Sequence, residues 1–299
     1  MTTRSKGPLA GFGWLTRGIS VGFRHPRPLF GGAALLLLLI LVPSLISLPM
    51  QLGLRMGVQP SPAVFGWLML GSALLGLLVV PLYAGYLQVV DAAERGLPAR
   101  ARDIFMPYRQ GLAPRLIGYA LTMMVLYVAM IAIVIAVAGR GIASWYMQVV
   151  TAQMNHQPPA LALPSGFGTA MALFAVFGLF MMGLYAISLG QVALRRRGVF
   201  AAIGDGLAGA LKNLLPLVVF ALSLLVTWIV VGLAFVILAA LLALLAKLVG
   251  AWLMFALIIP LYIVLLLTMF ATMFGVMYHL WRDVCGDDLV SGTAPSFAA

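Results

Sequence analysis

Apolar residues run without a formal charge from Leu214 to Ala246, 33 residues, and again from Leu248 to Tyr278, 31 residues, with Lys247 between them. A helix needs roughly 20 apolar residues to cross the ~30 Å hydrocarbon core of a bilayer. This stretch therefore predicts two spans joined by a turn at Lys247–Gly250. Each arm exceeds one crossing, so its ends must tilt or reach into the headgroups. Four earlier runs read the same way. The six expected spans are about 29–52, 64–90, 116–138, 167–194, 214–246 and 248–278. Pro81 and Pro260 fall inside two of them, where a proline should kink the helix and free the carbonyls of Leu77 and Ala256.

A second, 3.6-residue periodicity appears between the spans. Phe12, Leu15, Ile19 and Phe23 share one narrow helical arc, with Arg17 and Arg24 off it. Ile104, Tyr108, Leu112 and Leu116 recur every four residues behind Asp103, a candidate N-cap, with Pro107 and Pro114 near the two ends. Phe200, Ile203, Leu207, Leu211 and Leu214 recur opposite Asp205 and Lys212. These patterns predict three amphipathic helices lying on the membrane surface. Pro26 and Pro28 should end the first and turn the chain into the bilayer. Gly139–Gly166 reads as a loop with an interfacial segment around Trp145 and Tyr146 and a polar tip at Asn155–Pro159. Ser165 is the expected N-cap of the fourth span.

Composition agrees. Of 299 residues, 64% are hydrophobic and 8% charged, against about 25% charged in soluble domains. The expectation is one all-α polytopic membrane domain over 1–290, with six transmembrane helices and three cytoplasmic surface helices. Residues 291–299 should form a disordered tail. The first span lacks the early position and small-residue cleavage site of a signal peptide, so it is expected to be retained.

The net charge of +11 would point to nucleic acid in a soluble protein. Here its placement sets orientation instead. Fifteen of the eighteen Lys and Arg lie in the amino-terminal segment, the 91–115 and 194–213 loops and the tail. The alternate loops hold only Arg55, Arg140 and Lys247. The positive-inside rule then places both termini in the cytoplasm. Heavy use of Arg, Ala, Gly and Leu fits a GC-rich bacterium, hence its inner membrane.

The chain also divides into three units of surface helix plus two-span hairpin: about 12–90, 100–194 and 198–281. Gly18, Ile19, Phe23, Arg24, Pro28 and Leu29 match Gly206, Leu207, Leu211, Lys212, Pro216 and Leu217 at a constant offset of 188. Leu82-Tyr83-Ala84 recurs as Leu184-Tyr185-Ala186, and Pro81-Leu82-Tyr83 as Pro260-Leu261-Tyr262. Gly13-Trp14 with Phe23 and His25-Pro26, Asp103-Ile104-Phe105, and Ala201 to Pro216 together resemble a family of proteobacterial multi-spanning inner-membrane proteins. No activity is assigned to that family, and its motifs belong to surface helices rather than to a site. Gly139–Gly166 has no counterpart in it.

Candidate chemistry is sparse. The six spans carry no Asp, Glu, Lys, Arg or His, which argues against proton- or sodium-coupled pumps and intramembrane aspartyl or zinc proteases. His25, His156 and His279 are dispersed, and Cys285 is the only cysteine, so no metal, cofactor or disulfide is expected. Ser165-Gly166 lacks a G-x-S-x-G context. Arg195, Arg196 and Arg197 read as a topology anchor or an anionic-lipid contact. Tyr83, Tyr86, Tyr185, Gln191 and Tyr262 are the polar residues that could line a path. Gly18-x-x-x-Gly22 and Gly53-x-x-x-Gly57 match a helix-dimer motif but lie outside the spans, and on that ground carry no weight. The sequence points to a non-enzyme that handles or organises lipids or partner proteins, with an uncoupled permease or channel-like transporter as the alternative.

Overall fold

The computed structural model describes residues 3–55, 61–154 and 163–286. Among these residues every element is helical, without strands. Helices α1 (Ala10–Arg24), α2 (Pro26–Arg55) and α3 (Pro62–Glu94) are followed by a 3-10 turn, Ala101–Phe105. Then come α4 (Met106–Arg109), α5 (Ala113–Met154), α6 (Phe167–Ala193), α7 (Val199–Lys212), α8 (Leu214–Val249) and α9 (Ala251–Cys285). Five helices, α3, α5, α6, α8 and α9, are long and apolar enough to cross a membrane. Taking α2 with α1, from which it turns by 99°, raises the number to six. The protein is an all-α multi-pass membrane protein.

Three hairpins, α2–α3, α5–α6 and α8–α9, build the body, and the same neighbours recur in each. The second helices α3, α6 and α9 all touch one another. Each first helix lies against its own partner and the second helix of the preceding hairpin: α5 against α3, α8 against α6 and α2 against α9. Each short element seats on the preceding hairpin too. The 3-10 turn lies on α2–α3, α7 on α6, and α1, the first helix, on α8–α9 of the last hairpin. The succession closes on itself as a pseudo-threefold ring.

Small residues make these seats. On α1, Gly11, Trp14, Leu15, Gly18, Val21 and Gly22 are buried. A Cβ on Gly18 would stand 2.8 Å from the Thr272 carbonyl oxygen and 2.5 Å from Val276 Cγ2. On α7 the buried face is Ala202, Gly206, Gly209 and Ala210, and a Cβ on Gly206 would stand 2.8 Å from the Leu184 carbonyl oxygen and 3.1 Å from Ser188 Cβ. Gly85 of α3 admits the Ile104 carbonyl more closely still. The Gly18-x-x-x-Gly22 match is therefore a genuine packing site. It works on the short helix α1, because close backbone approach needs only absent side chains. The match at Gly53 and Gly57 reaches outside the described residues.

The large apolar stripes divide: Leu15 joins the buried face of α1, and Ile19 and Ile203 are partly buried against the core. Phe12 and Phe23 are exposed on α1, and Phe200, Leu207 and Leu211 on α7, beside the buried small-residue faces. Both helices thus carry exposed large apolar side chains beside a face buried against the bundle. They end alike, at His25 and Asn213, where the backbone leaves helical geometry. Leu29 and Leu217, four residues on from these breaks, are both buried.

Several expectations need correction. The second surface helix is not continuous: it is the 3-10 turn, one turn of α4, and a break at Gly111, whose φ is +68°. Asp103 sits inside that turn rather than at its cap, and its carboxylate accepts the Arg100 N–H at 2.8 Å. Pro107 and Pro114 explain the interruption, since neither can donate to a helical ladder. Gly139–Met154 is not loop. It continues α5, because nothing stronger than two glycines interrupts the run; Gly141 instead makes room for the backbone of Ser165. Gly166, at φ +81°, caps α6, and Ser165 does not. The turn between α8 and α9 is Gly250 alone, at φ +124°. Helices α3 and α9 run unbroken through Pro81 and Pro260, and Tyr108 donates its hydroxyl to the Leu78 carbonyl, in the turn preceding Pro81. The 155–162 tip, which holds His156, and the 291–299 tail lie outside the described residues.

Candidate functional site

Polar and charged side chains concentrate where α3, α6 and α9 end and the short elements seat, the basic end of the bundle. On the α1 seat, Trp14 Nε1 donates to Asp283 Oδ2 at 2.9 Å. Arg17 forks onto the same carboxylate at 2.5 and 3.4 Å. Arg24 Nη2 lies 3.3 Å from Glu94 Oε1, and the other oxygen of Glu94 is 3.8 Å from Nε2 of buried His279. On the α7 seat the polarity is reversed. Asp205, which stands 188 residues after Arg17, accepts from Gln191 Nε2 at 3.1 Å and pairs with Arg197 Nε at 3.1 Å. The fork of Arg17 on Asp283 fixes orientation as well as distance, whereas Asp205 is held by two separate side chains, Gln191 and Arg197.

A strap reinforces the closure. The Arg4 N–H donates to the Val284 carbonyl at 2.8 Å, and the Lys6 N–H to Asn213 Oδ1 at 2.8 Å. Asn213 Nδ2 returns bonds to the carbonyls of Arg4 and Gly209 at 3.0 and 2.8 Å. Residues 3–6 therefore tie the end of α9 to the α7–α8 break. Nothing in the composition of this basic segment signals that role; only the buried asparagine at a helix break hints at a partner for its amide.

The residues singled out in the sequence divide accordingly. Arg195 donates to the Gly286 carbonyl and lies over the Trp281 ring, 5.9 Å from its centroid. Arg197 holds Asp205. Arg196, left-handed at φ 53°, has an exposed side chain and offers its carbonyl to Arg115 at 2.6 Å. Tyr86 is fully buried and donates to the Leu29 carbonyl at 3.0 Å. Its ring meets Phe274 edge-on at 4.8 Å, while Tyr83 stacks on Phe274 at 6.1 Å. Tyr185 lies beside Tyr119, whose hydroxyl is bonded to Ser188 Oγ at 2.8 Å. Gln191 is buried between Asp205 and Cys285, 3.3 Å from the thiol sulfur. Tyr262 is 52% exposed. The α1 and α7 seats align Met273, not Tyr262, with Tyr83, and Tyr262 lies about 16 Å along α9 from Met273. Among the described residues no group of three or more His, Cys, Asp or Glu side chains converges.

Two apolar grooves open sideways beneath the seated elements. The first, about 170 Å³, runs between α8 and α9 below Leu15 and Ile19 of α1, walled by Thr227, Leu265, Thr268 and Met269. The second, about 250 Å³, runs between α2 and α3 below Phe105 and Tyr108, walled by Leu39, Leu75, Leu78 and Val79. These walls are counterparts in the ring, residue for residue. Compared with known proteins, the chain matches no family model, no curated protein and no solved structure.

Proposed function

We propose that this protein is a non-enzymatic membrane protein that organises lipids where its basic end meets the bilayer surface. The charge distribution supports a cytoplasmic position for that end in a bacterial inner membrane. The observation that carries the reading is the build of α1 and α7. Each is locked to the bundle by small residues and a charged clamp, and each still presents large apolar side chains to lipid, Phe12 and Phe23 on α1 and Phe200, Leu207 and Leu211 on α7. Burying such side chains contributes about 1.5–3 kcal/mol each, less at a partly wet interface. Exposed Arg27, Arg102, Arg109 and Arg196 at the same end supply cations for anionic headgroups, at about 1 kcal/mol each. The close packing of Tyr83 and Tyr86 on Phe274 supports a solid bundle over an uncoupled permease, and neither lateral groove is lined by Tyr83, Tyr185 or Gln191.

The test is phospholipid retained per chain after purification in mild detergent. Replacing Phe12, Phe23, Phe200 and Leu211 with Ser leaves the buried faces intact and should lower retention severalfold. Equal retention by the wild type and this variant would refute the reading.

A further inference from the structure

We infer that the two lateral grooves are seats for single acyl chains of bilayer phospholipids, and that the third hairpin fills its equivalent seat with its own side chains. This rests on the lipid-organising reading and names the part of the lipid that is held.

The ring fixes the comparison. Gly18 meets Thr272 and Val276 as Gly206 meets Leu184 and Ser188, which aligns α9 with α6. The repeated Leu-Tyr-Ala aligns α6 with α3. In that register Leu265 and Thr268 of the first groove correspond to Leu75 and Leu78 of the second, and to Phe177 and Phe180 in the third hairpin. Both phenylalanines are half-buried. Phe177 packs on Val134, Ala138 and Ala170, and Phe180 on the main core. The protein thus places apolar side-chain volume at this position once and leaves a groove there twice.

The walls select hydrocarbon. In the first groove Thr227 Oγ1 donates to the Ser223 carbonyl and Thr268 Oγ1 to the Val264 carbonyl, each at 2.8 Å. Their hydroxyls are folded onto their own helices, which leaves Thr272 and the Trp228 indole as the polar groups in an otherwise apolar lining. The groove lies between two helices that are long and apolar enough to cross a membrane. The bilayer around the hairpin supplies flexible unbranched chains, a segment of which can lie along it. The roof places its headgroup beside α1 at the basic end, level with the exposed Phe12 and Phe23.

The probe is a phosphatidylcholine carrying a diazirine along one acyl chain, incorporated into vesicles of phosphatidylcholine and phosphatidylglycerol with the full-length protein. After irradiation, labelling along α8 and α9 is mapped by mass spectrometry. Labelling at Trp228, Met269 and Thr272 should exceed that at Leu233 and Val236, which are more exposed on α8, by severalfold. The pair Leu265→Phe and Thr268→Phe copies the third hairpin and should remove this excess, while retention that depends on Phe12 and Phe200 persists. Thr268→Leu copies the second groove and should keep the excess. Uniform labelling of α8 in the wild type means ordinary annular lipid and overturns the inference without the paired variant, leaving the surface-helix reading standing. A first groove left unlabelled, as when a side chain of a second copy fills it, overturns it as well. Loss of the severalfold retention difference in the surface-helix variant refutes the broader reading on its own.

Discussion

The basic end of the bundle and its opposite end are built from the same apolar helices and hold together differently. At the basic end Trp14, Tyr86, Tyr119, Phe220 and Trp281 are almost fully buried, glycines sit at backbone contacts, and carboxylates are clamped by arginines. Toward the other end Leu41, Trp67, Ile135, Val176, Val236 and Phe255 are exposed, and the second core cluster is only Val134, Ala138 and Ala170 with three flanking residues. Lipid tails are as apolar as leucine, so hydrophobicity cannot drive helices together inside a bilayer. Association needs close approach or polar bonds, and this chain concentrates both at one end. The same side chains mean core in one half and lipid-facing surface in the other.

The largest break in that contrast should come from glycine. Gly85→Leu forces a side chain into the Ile104 backbone and should abolish a monodisperse folded protein, as read by detergent size-exclusion. Gly71→Leu, on the same helix with nothing within 4 Å of its added Cβ, should elute as the wild type. Equal loss in both variants would show that both ends depend on close packing.

Next is the α1 clamp. Asp283→Asn keeps the shape but weakens the acceptor shared by Trp14 and Arg17. It should cost about 1–3 kcal/mol, toward the low end because Arg17 is partly exposed and screened. Limited proteolysis after Arg17 and Arg24 should quicken accordingly. The swap Arg17→Asp with Asp283→Arg should restore part of the protection, since the α7 seat already uses that polarity. An equally quick cut in the swap would show that the bond geometry, not the pairing of charges, holds α1.

Smaller effects are expected in the arginine run. Arg195→Gln and Arg197→Gln each remove a clamp, whereas Arg196→Gln should stay within about 0.5 kcal/mol of the wild type. Changing all three to Gln leaves Lys212 as the only cation of the 194–213 loop. Reporter fusions after residues 205 and 248 should then give mixed orientation confined to the second half of the chain. In the wild type, fusions after 60, 155 and 248 should report the side opposite to those after 105, 205 and 290. A reporter at 155 on the same side as 105 would break the six-span count.

The helices themselves were legible in the sequence, because uncharged length and 3.6-residue spacing are local properties. The three surface elements were legible in position, but the face that α1 and α7 bury was not. Large apolar residues mark an amphipathic stripe, and here Phe12 and Phe200 lie beside the buried face, which consists largely of glycine and alanine. Reading Gly139 as a stop failed because α5 uses glycine at 141 to admit a neighbour's backbone. The clamps were invisible for another reason: Trp14 and Asp283, or Glu94 and His279, meet only after the first unit seats on the last.

That seating has a consequence in time. Helix α1 leaves the ribosome before the last hairpin does, and its seat on α9 exists only after roughly 250 more residues are made. At about 5–20 residues per second, the helix waits roughly 12–50 s for its partner. Through that interval its glycine face has nothing to rest against. Phe12, Ile19 and Phe23 can hold it at the membrane surface meanwhile, parked beside the point where the last hairpin will arrive. The exposed stripe of the finished protein is then also the record of how α1 was kept from straying during synthesis.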